Sequence, residues 1–162
     1  MAEKDTFIKT LEQEFQTTLK VLKAYPVDKL DLRPSDRSRT AKELAWTFVI
    51  EEIMLMGGII KGQIDTTMRL QMPASYPEIL TALEQTHRQN LEQLKKMTEA
   101  EINSTMKFFV SPKTIGDVRR GDLLWMTLHD SIHHRGQFSV YLRMAGGKVP
   151  SIYGPTADEP WM

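Results

Sequence analysis

The sequence of 162 residues contains no cysteine. It therefore excludes disulfide bonds, metal sites built from thiolates and catalysis by a cysteine nucleophile. A chain without cysteine is compatible with the reducing cytoplasm, and we predict a cytoplasmic location.

An excess of charge of either sign is also absent, because 21 Lys and Arg residues balance 21 Asp and Glu residues. No overall electrostatic field attracts nucleic acid or an anionic membrane, so we predict neither as a partner. The longest apolar run, IMLMGGII, is far shorter than the about 20 residues that span a bilayer. The N-terminal stretch MAEKDTFIKT is charged and lacks the apolar segment of a secretory signal.

What is present is a hydrophobic fraction of 41% and a charged fraction of 26%, typical of one globular domain over residues 1–162. Apolar residues in the first segment recur every three or four positions, which predicts an amphipathic helix that ends at Pro26. These residues are Ile8, Leu11, Phe15, Leu19 and Leu22.

Three further helices are predicted. Capping boxes open the second at Thr40 with Glu43 and the third at Ser75 with Glu78. The second is apolar nearly all the way round, which indicates deep burial. The fourth runs from about Asp122 to Met144 and ends at glycines.

The remaining segments are predicted to be irregular. We expect the link over residues 98–121, including MKFFV, to be an extended connection, since one strand alone has no partner. The proline-containing tail KVPSIYGPTADEPWM is expected to form an extended strap. The predicted fold class is therefore all-α: a four-helix bundle with a C-terminal strap.

The stretch HDSIHHRGQ, residues 129–137, holds three of the four histidines. On a helix, residues four apart share a face, which defines two overlapping pairs: His129 with His133, and Asp130 with His134. Gln137 continues the line of the second pair. We expect Asp130 and His134 to face the bundle interior, and His129 and His133 to lie toward its edge.

A carboxylate and an imidazole at this spacing can both reach one divalent cation, with a third ligand from another helix. The alternative is that Asp130 only accepts a hydrogen bond from His134, while the other two histidines lie at the surface or in a dimer contact.

The stretch HDSIHHRGQFSVYLRMAGGKVPSIYGPTADE, together with LDLRPSDRSRTAKELAW, resembles the DinB-like family over most of the chain. The resemblance implies an up-down-down-up four-helix bundle, usually a homodimer. It also implies a divalent metal, often nickel or zinc, held by three histidines. One is on the second helix, and the other two are four residues apart on the fourth.

The match to the family's ligand set is incomplete. The histidine of HRGQ is His134, but Asp130 stands where the second histidine belongs, and Thr47 stands at the position of the third. Glu51, one turn after Thr47, is the predicted replacement ligand, with Glu52 as a substitute. Such an oxygen-rich set favours zinc, manganese or iron. The resemblance also implies nickel. The alternative is a site that holds no metal at all.

Two functions remain open. The resemblance implies a metal-dependent enzyme acting with a low-molecular-weight thiol, a transferase, isomerase or hydrolase, in which Gln137 or Tyr141 would orient the substrate. No catalytic residue is assigned. The alternative is a non-catalytic stress-response or binding module with a degenerate metal site. Among other residues, Trp46 and Trp125 are predicted to lie in the core, and His87 to be solvated.

Overall fold

The protein is described here by a computed structural model of residues 2–162, which is mostly helical. The long helices are α1 (Glu3–Lys23), α4 (Tyr76–Lys96) and α6 (Arg120–Met144). A further continuous helical rod consists of α2 (Ala41–Ile50), a π-helical segment (Glu51–Met56) and α3 (Gly57–Lys61). The shorter elements are α5 (Glu99–Asn103), β1 (Thr105–Ser111) and β2 (Thr114–Arg119).

Both predicted capping boxes are present. The Thr40 and Ser75 hydroxyls accept the backbone N–H of Glu43 and Glu78, whose carboxylates accept the N–H of the capping residue. These bonds satisfy amide groups that have no partner inside the helix, so the sequence defines where α2 and α4 begin.

The four long helical segments pack as a bundle in which the main neighbours of the first segment are the third and the fourth rather than the second. The main contacts of α1 are with α4 and α6, and those of α2 are likewise with α4 and α6. α1 and α2 therefore occupy opposite corners, joined by a connector over residues 24–40. In the described part of the chain, no helix combines the length and apolar character of a membrane span.

The apolar core consists of two separate clusters. The first includes Phe15, Phe48, Leu83 and Phe138, and the second includes Leu11, Met56, Leu94 and Leu128. Between these positions, every long helix carries polar side chains that are mostly or fully buried. This polar layer comprises Glu14 on α1, Glu51 and Glu52 on the π-helical segment, His87 and Asn90 on α4, and His134 and Arg135 on α6.

The all-α prediction needs a correction, because β1 and β2 form an antiparallel hairpin in the link between α5 and α6. Residues 105–111 find their partner directly after a turn at Lys113, which has a positive φ of 65°. The partner strand was missed because its sequence, TIGDVR, carries only two large apolar residues, Ile115 and Val118. Phe109 and Ile115 lie opposite each other in the hairpin and are both exposed.

The C-terminal tail lies along the bundle, as the sequence predicts. Val149 is part of the first apolar cluster, and the Tyr153 hydroxyl donates to the Glu14 carboxylate over 2.8 Å. Arg135, only 2% exposed, joins the tail to the bundle. Its guanidinium lies 2.7 Å from the Glu14 carboxylate and donates to the Tyr153 hydroxyl.

Removal of the Arg135 guanidinium should be costly, because the mostly buried Glu14 carboxylate then has no cationic partner. We expect Arg135→Met to lower the free energy of unfolding by about 3 kcal/mol. The matched control is Arg143→Met on the same helix, whose side chain is 50% exposed and pairs with Asp158. That variant should lose less than about 1 kcal/mol. Urea unfolding followed by circular dichroism measures both, and equal losses would contradict this assignment.

Candidate metal centre

Two helices bring three potential metal ligands together in the polar layer. Glu51 is the first residue of the π-helical segment, and Asp130 and His134 lie four residues apart on α6. One carboxylate oxygen from each acid and one ring nitrogen of His134 all lie within 4.8 Å of one another. The structure thus places together the three residues that the sequence singled out.

Glu51 is the least ordinary member of this cluster. Glu51 is 5% exposed, and its Oε1 lies 2.6 Å from Nδ1 of His134. The approach does not have hydrogen-bond geometry: among residues 2–162, neither Glu51 oxygen nor His134 Nδ1 has a hydrogen-bond partner. A buried carboxylate without hydrogen bonds is costly, so a positive charge at this point would stabilise it.

The expected orientations on α6 are only partly correct. His134 points inward, with 13% of its side chain exposed, and His129 and His133 are exposed, as predicted. Asp130, however, is exposed rather than interior. Four residues turn a helix by about 400°, so Asp130 is rotated by about 40° from His134, which takes it to the margin of the buried face.

Glu52 is held on the other side of the rod, against α4. Its Oε1 lies 2.8 Å from Nδ1 of His87. The Asn90 amide donates over 2.7 Å to both the backbone oxygen and Oε2 of Glu52. Consecutive helical residues point about 100° apart, so anchoring Glu52 on α4 leaves Glu51 directed at α6. Insertions of π-helix often occur at functional sites, and here the insertion contains both carboxylates.

The prediction that His87 is solvated is wrong. It is 5% exposed, and its ring stacks on Phe15 with centroids 3.4 Å apart. A signal was present in the sequence, since His87 and Asn90 lie four and seven residues after Leu83 and therefore continue its buried stripe. Because neither residue is apolar, the hydrophobic pattern alone does not identify this polar layer.

Thr47, at the position of the family's third histidine, takes no part in the cluster. Its hydroxyl donates to the backbone oxygen of Glu43, one turn earlier, over 3.1 Å. Trp46 and Trp125, predicted to be core residues, are half-buried and pack at the margins of the two apolar clusters.

The two residues predicted to orient a substrate have different environments. Gln137 is exposed, and its Nε2 lies 2.9 Å from Nε2 of His133. Tyr141 is buried, and its hydroxyl donates over 2.9 Å to the backbone oxygen of Arg39 in the connector. Gln137 is accessible to a ligand, whereas the Tyr141 hydroxyl already has a structural partner.

An interior cavity adjoins Glu51. Its lining combines apolar side chains with six polar residues: Glu14, Thr18, Glu51, Glu52, Thr127 and Ser131. A lining that mixes polar and apolar groups suits a cavity that accepts water or one polar atom of a ligand. The candidate centre therefore borders the interior on one side and, through Asp130, solvent on the other.

The ionisable groups of the cluster affect each other's pKa values. Burial raises the pKa of the Glu51 carboxyl above its ordinary value of 4.5. The short contact with Glu51 raises the pKa of His134 above its ordinary 6.5, and Asp130 acts in the same direction. Burial of the ring and the Arg39 guanidinium act against this rise. The cluster thus favours bound positive charge, whether a proton or a metal ion.

The fold and the cluster together define a helical-bundle protein with a mixed carboxylate and histidine group between its helices. The sequence model of the DinB family matches residues 1–161, and the chain belongs to the DinB family. This confirms the resemblance carried by HHRGQ and the residues around it.

Comparisons with individual proteins agree with this assignment. The chain is 29% identical over 162 residues to the uncharacterized protein YrdA of Bacillus subtilis (strain 168), and the match covers 96% of this chain and 90% of that protein. A DinB-like protein from Bacillus cereus ATCC 10987 has a similar crystal structure, with a TM-score of 0.77 and 22% identity over 92% of this chain and 97% of that chain.

YfiT from Bacillus subtilis is a second structural relative, with a TM-score of 0.65 and 17% identity over 88% of this chain and 87% of that chain. It is described as a probable metal-dependent hydrolase with an unusual four-helix bundle topology. At these identities, the two structures show a shared fold.

The raised pKa values predict how stability depends on pH when no metal is bound. The contribution of His134 is fully present below its ordinary pKa of 6.5 and is lost as the pH rises through the higher folded value. Glu51 acts in the same direction, because the folded protein holds its proton to a higher pH than the unfolded chain does. Metal-free protein should therefore be less stable at about pH 8 than at about pH 6.

Thermal unfolding after dialysis against a chelator measures this dependence. His134→Gln removes the titrating ring and should flatten the pH profile in this range. A metal-free wild-type protein that is equally stable at both pH values would contradict the coupling.

Proposed function

We propose that the chain binds a divalent transition-metal ion through Glu51, Asp130 and His134 and is a metal-dependent enzyme. The observation that carries this proposal is the buried Glu51 carboxylate, which faces His134 without a hydrogen-bond partner in residues 2–162. The atoms without partners are the two Glu51 carboxylate oxygens and Nδ1 of His134, all of which are good metal ligands. Because Oε1 and Nδ1 lie only 2.6 Å apart, these residues are suited to binding a cation.

The donor set restricts the metal. Two carboxylate oxygens and one imidazole nitrogen form a harder set than three imidazoles, which favours zinc, manganese or iron; nickel remains a candidate because of the family resemblance. Three protein ligands are typical of catalytic sites, which keep a position for substrate. A metal ion there would act as a Lewis acid and lower the pKa of a water molecule or thiol.

The reaction class that we propose is attack by an activated water or low-molecular-weight thiol on a small substrate. The description of YfiT as a probable metal-dependent hydrolase supports the first nucleophile, and the resemblance to thiol-dependent transferases supports the second. In this proposal Gln137, exposed one turn after His134, orients the substrate. An up-down-down-up helix order, a homodimer and a cytoplasmic location complete the proposal.

One observation favours a non-catalytic module instead. Glu51 and His134 approach to 2.6 Å, so a protonated His134 would neutralise the buried carboxylate without any metal. In that case, the cluster would be an ion pair within the polar layer, and function would belong to the surface. Direct metal analysis of protein purified without a histidine tag distinguishes the two candidates.

Substitution of Asp130 tests the metal proposal. Asp130→Asn keeps the shape but removes the charge, and it should weaken zinc binding by more than about tenfold, since even outer partners of metal ligands contribute that much. It should lower the melting temperature only when metal is present. Isothermal titration and thermal unfolding, each with and without chelator, give both quantities.

The control for this experiment is His129→Gln, an exposed histidine on the same helix outside the cluster. It should bind metal as the wild type does. A stability change in Asp130→Asn that is the same with and without chelator would favour the ion-pair alternative.

A second pair of variants separates the two neighbouring glutamates. Glu51→Gln should abolish tight metal binding, because it removes a charged ligand from the buried side of the cluster. Glu52→Gln should retain it, since Glu52 lies against His87 and Asn90. Metal content by mass spectrometry of the purified variants provides the comparison, and loss of metal in both variants would show that the ligand assignment is wrong.

A further inference from the structure

A surface groove beside the candidate metal centre is bordered by two arginines of the connector. Its lining residues come from the connector, α2 and α6: Arg37, Ser38, Arg39, Leu44, Gln137, Val140 and Tyr141. Gln137 lies three residues after His134, a separation of about 4.5 Å along the helix axis. The groove therefore begins one helical turn from the centre.

Both arginines are available to a ligand. Arg37 and Arg39 are exposed, and neither guanidinium forms an ion pair or donates a hydrogen bond within residues 2–162. The other arginine near this end of α6, Arg143, is by contrast paired with Asp158. Free guanidinium groups in a concave surface are suited to bidentate binding of carboxylate or phosphate oxygens.

The backbone that carries these arginines is anchored on both sides. The Tyr141 hydroxyl donates to the Arg39 backbone oxygen over 2.9 Å. The next residue, Thr40, is fixed by its capping box with Glu43. A ligand therefore does not have to order the connector backbone, which reduces the entropic cost of binding.

A second groove borders the same arginines on the outer side of α2, but it contains the carboxylate of Glu43. Hydrogen bonds from Thr40 lower the pKa of Glu43, and the positive charges of Arg33 and Arg39 lower it further, so this carboxylate already interacts with the connector arginines. The groove against α6 has no acidic residue in its lining. An anion is therefore favoured on the α6 side, where Gln137 adds an amide donor.

We propose that the groove between the connector and α6 binds a carboxylate or phosphate group of the substrate, with Arg37 and Arg39 as the anion-binding residues. This inference rests on the proposed function, because it makes the groove a subsite of the metal centre. The substrate is then a small anion whose reacting group lies about one helical turn from its charged group.

Metal-free protein provides the first test, because an anion cannot then bind through the metal. Protein stripped with chelator and desalted is titrated with succinate and, separately, with inorganic phosphate, and binding is followed by amide nuclear magnetic resonance. Shifts should concentrate at residues 37–39 and Gln137. Arg37→Gln/Arg39→Gln should weaken binding of the preferred anion by about tenfold or more.

The matched control is Arg33→Gln, an exposed arginine of the same connector that lines neither groove. It should bind both probes as the wild type does. Equal affinity of the double variant and the wild type, or shifts elsewhere in the protein, would overturn the proposal. A preference for succinate or phosphate identifies the chemistry of the anionic group.

Zinc titration of the same variants separates this inference from the proposed function. The double variant should bind zinc with unchanged affinity, since no arginine is a ligand. Normal zinc binding with no anion binding in the wild type would overturn the subsite alone. Anion binding by a wild type that binds no zinc would overturn the assignment of the groove to a metal centre.

Discussion

A carboxylate buried at mid-height of the bundle is the constraint on which the rest of this structure depends. Glu51 lies between two apolar clusters, where an unpaired charge is unfavourable. Each of the other long helices contributes polar groups at the same level, and His134 on α6 is the one that approaches the Glu51 carboxylate. This polar layer divides the apolar core into two clusters. The bundle therefore has fewer apolar contacts at this level, and it has ionisable groups there instead.

Two adjacent glutamates occupy this layer in different ways. Glu52 is satisfied within the protein by His87 and Asn90, which ties the π-helical segment to α4. Glu51 remains open toward His134 and Asp130. The Glu52 carboxylate thus has a structural role, whereas the Glu51 carboxylate is free to bind a ligand. The two differ because consecutive residues of a helix point in different directions. Arg37 and Arg39 of the connector add positive charge at the surface groove beside this cluster.

Much of the architecture was predictable from local sequence. Capping boxes, apolar periodicity and terminal glycines defined the four long helical segments, because these signals act within a few residues. The grouping of Glu51, Asp130 and His134 was also predictable, since residues four apart share a helix face and the family resemblance indicated the facing helix. The hairpin and the burial of His87 were missed, because each depends on a partner that a local pattern does not identify.

The sequence by itself determined the helices, the absence of cysteine side-chain chemistry and the residue types available for a metal. Only the tertiary structure decided which glutamate faces α6, that Asp130 lies at the margin and that two arginines border the groove. The physical reason is that α1 and α2 occupy opposite corners of the bundle, so α4 and α6 approach the rod of residues 41–61 from its two sides. Which side each polar residue meets is a property of this packing, and no single helix contains that information.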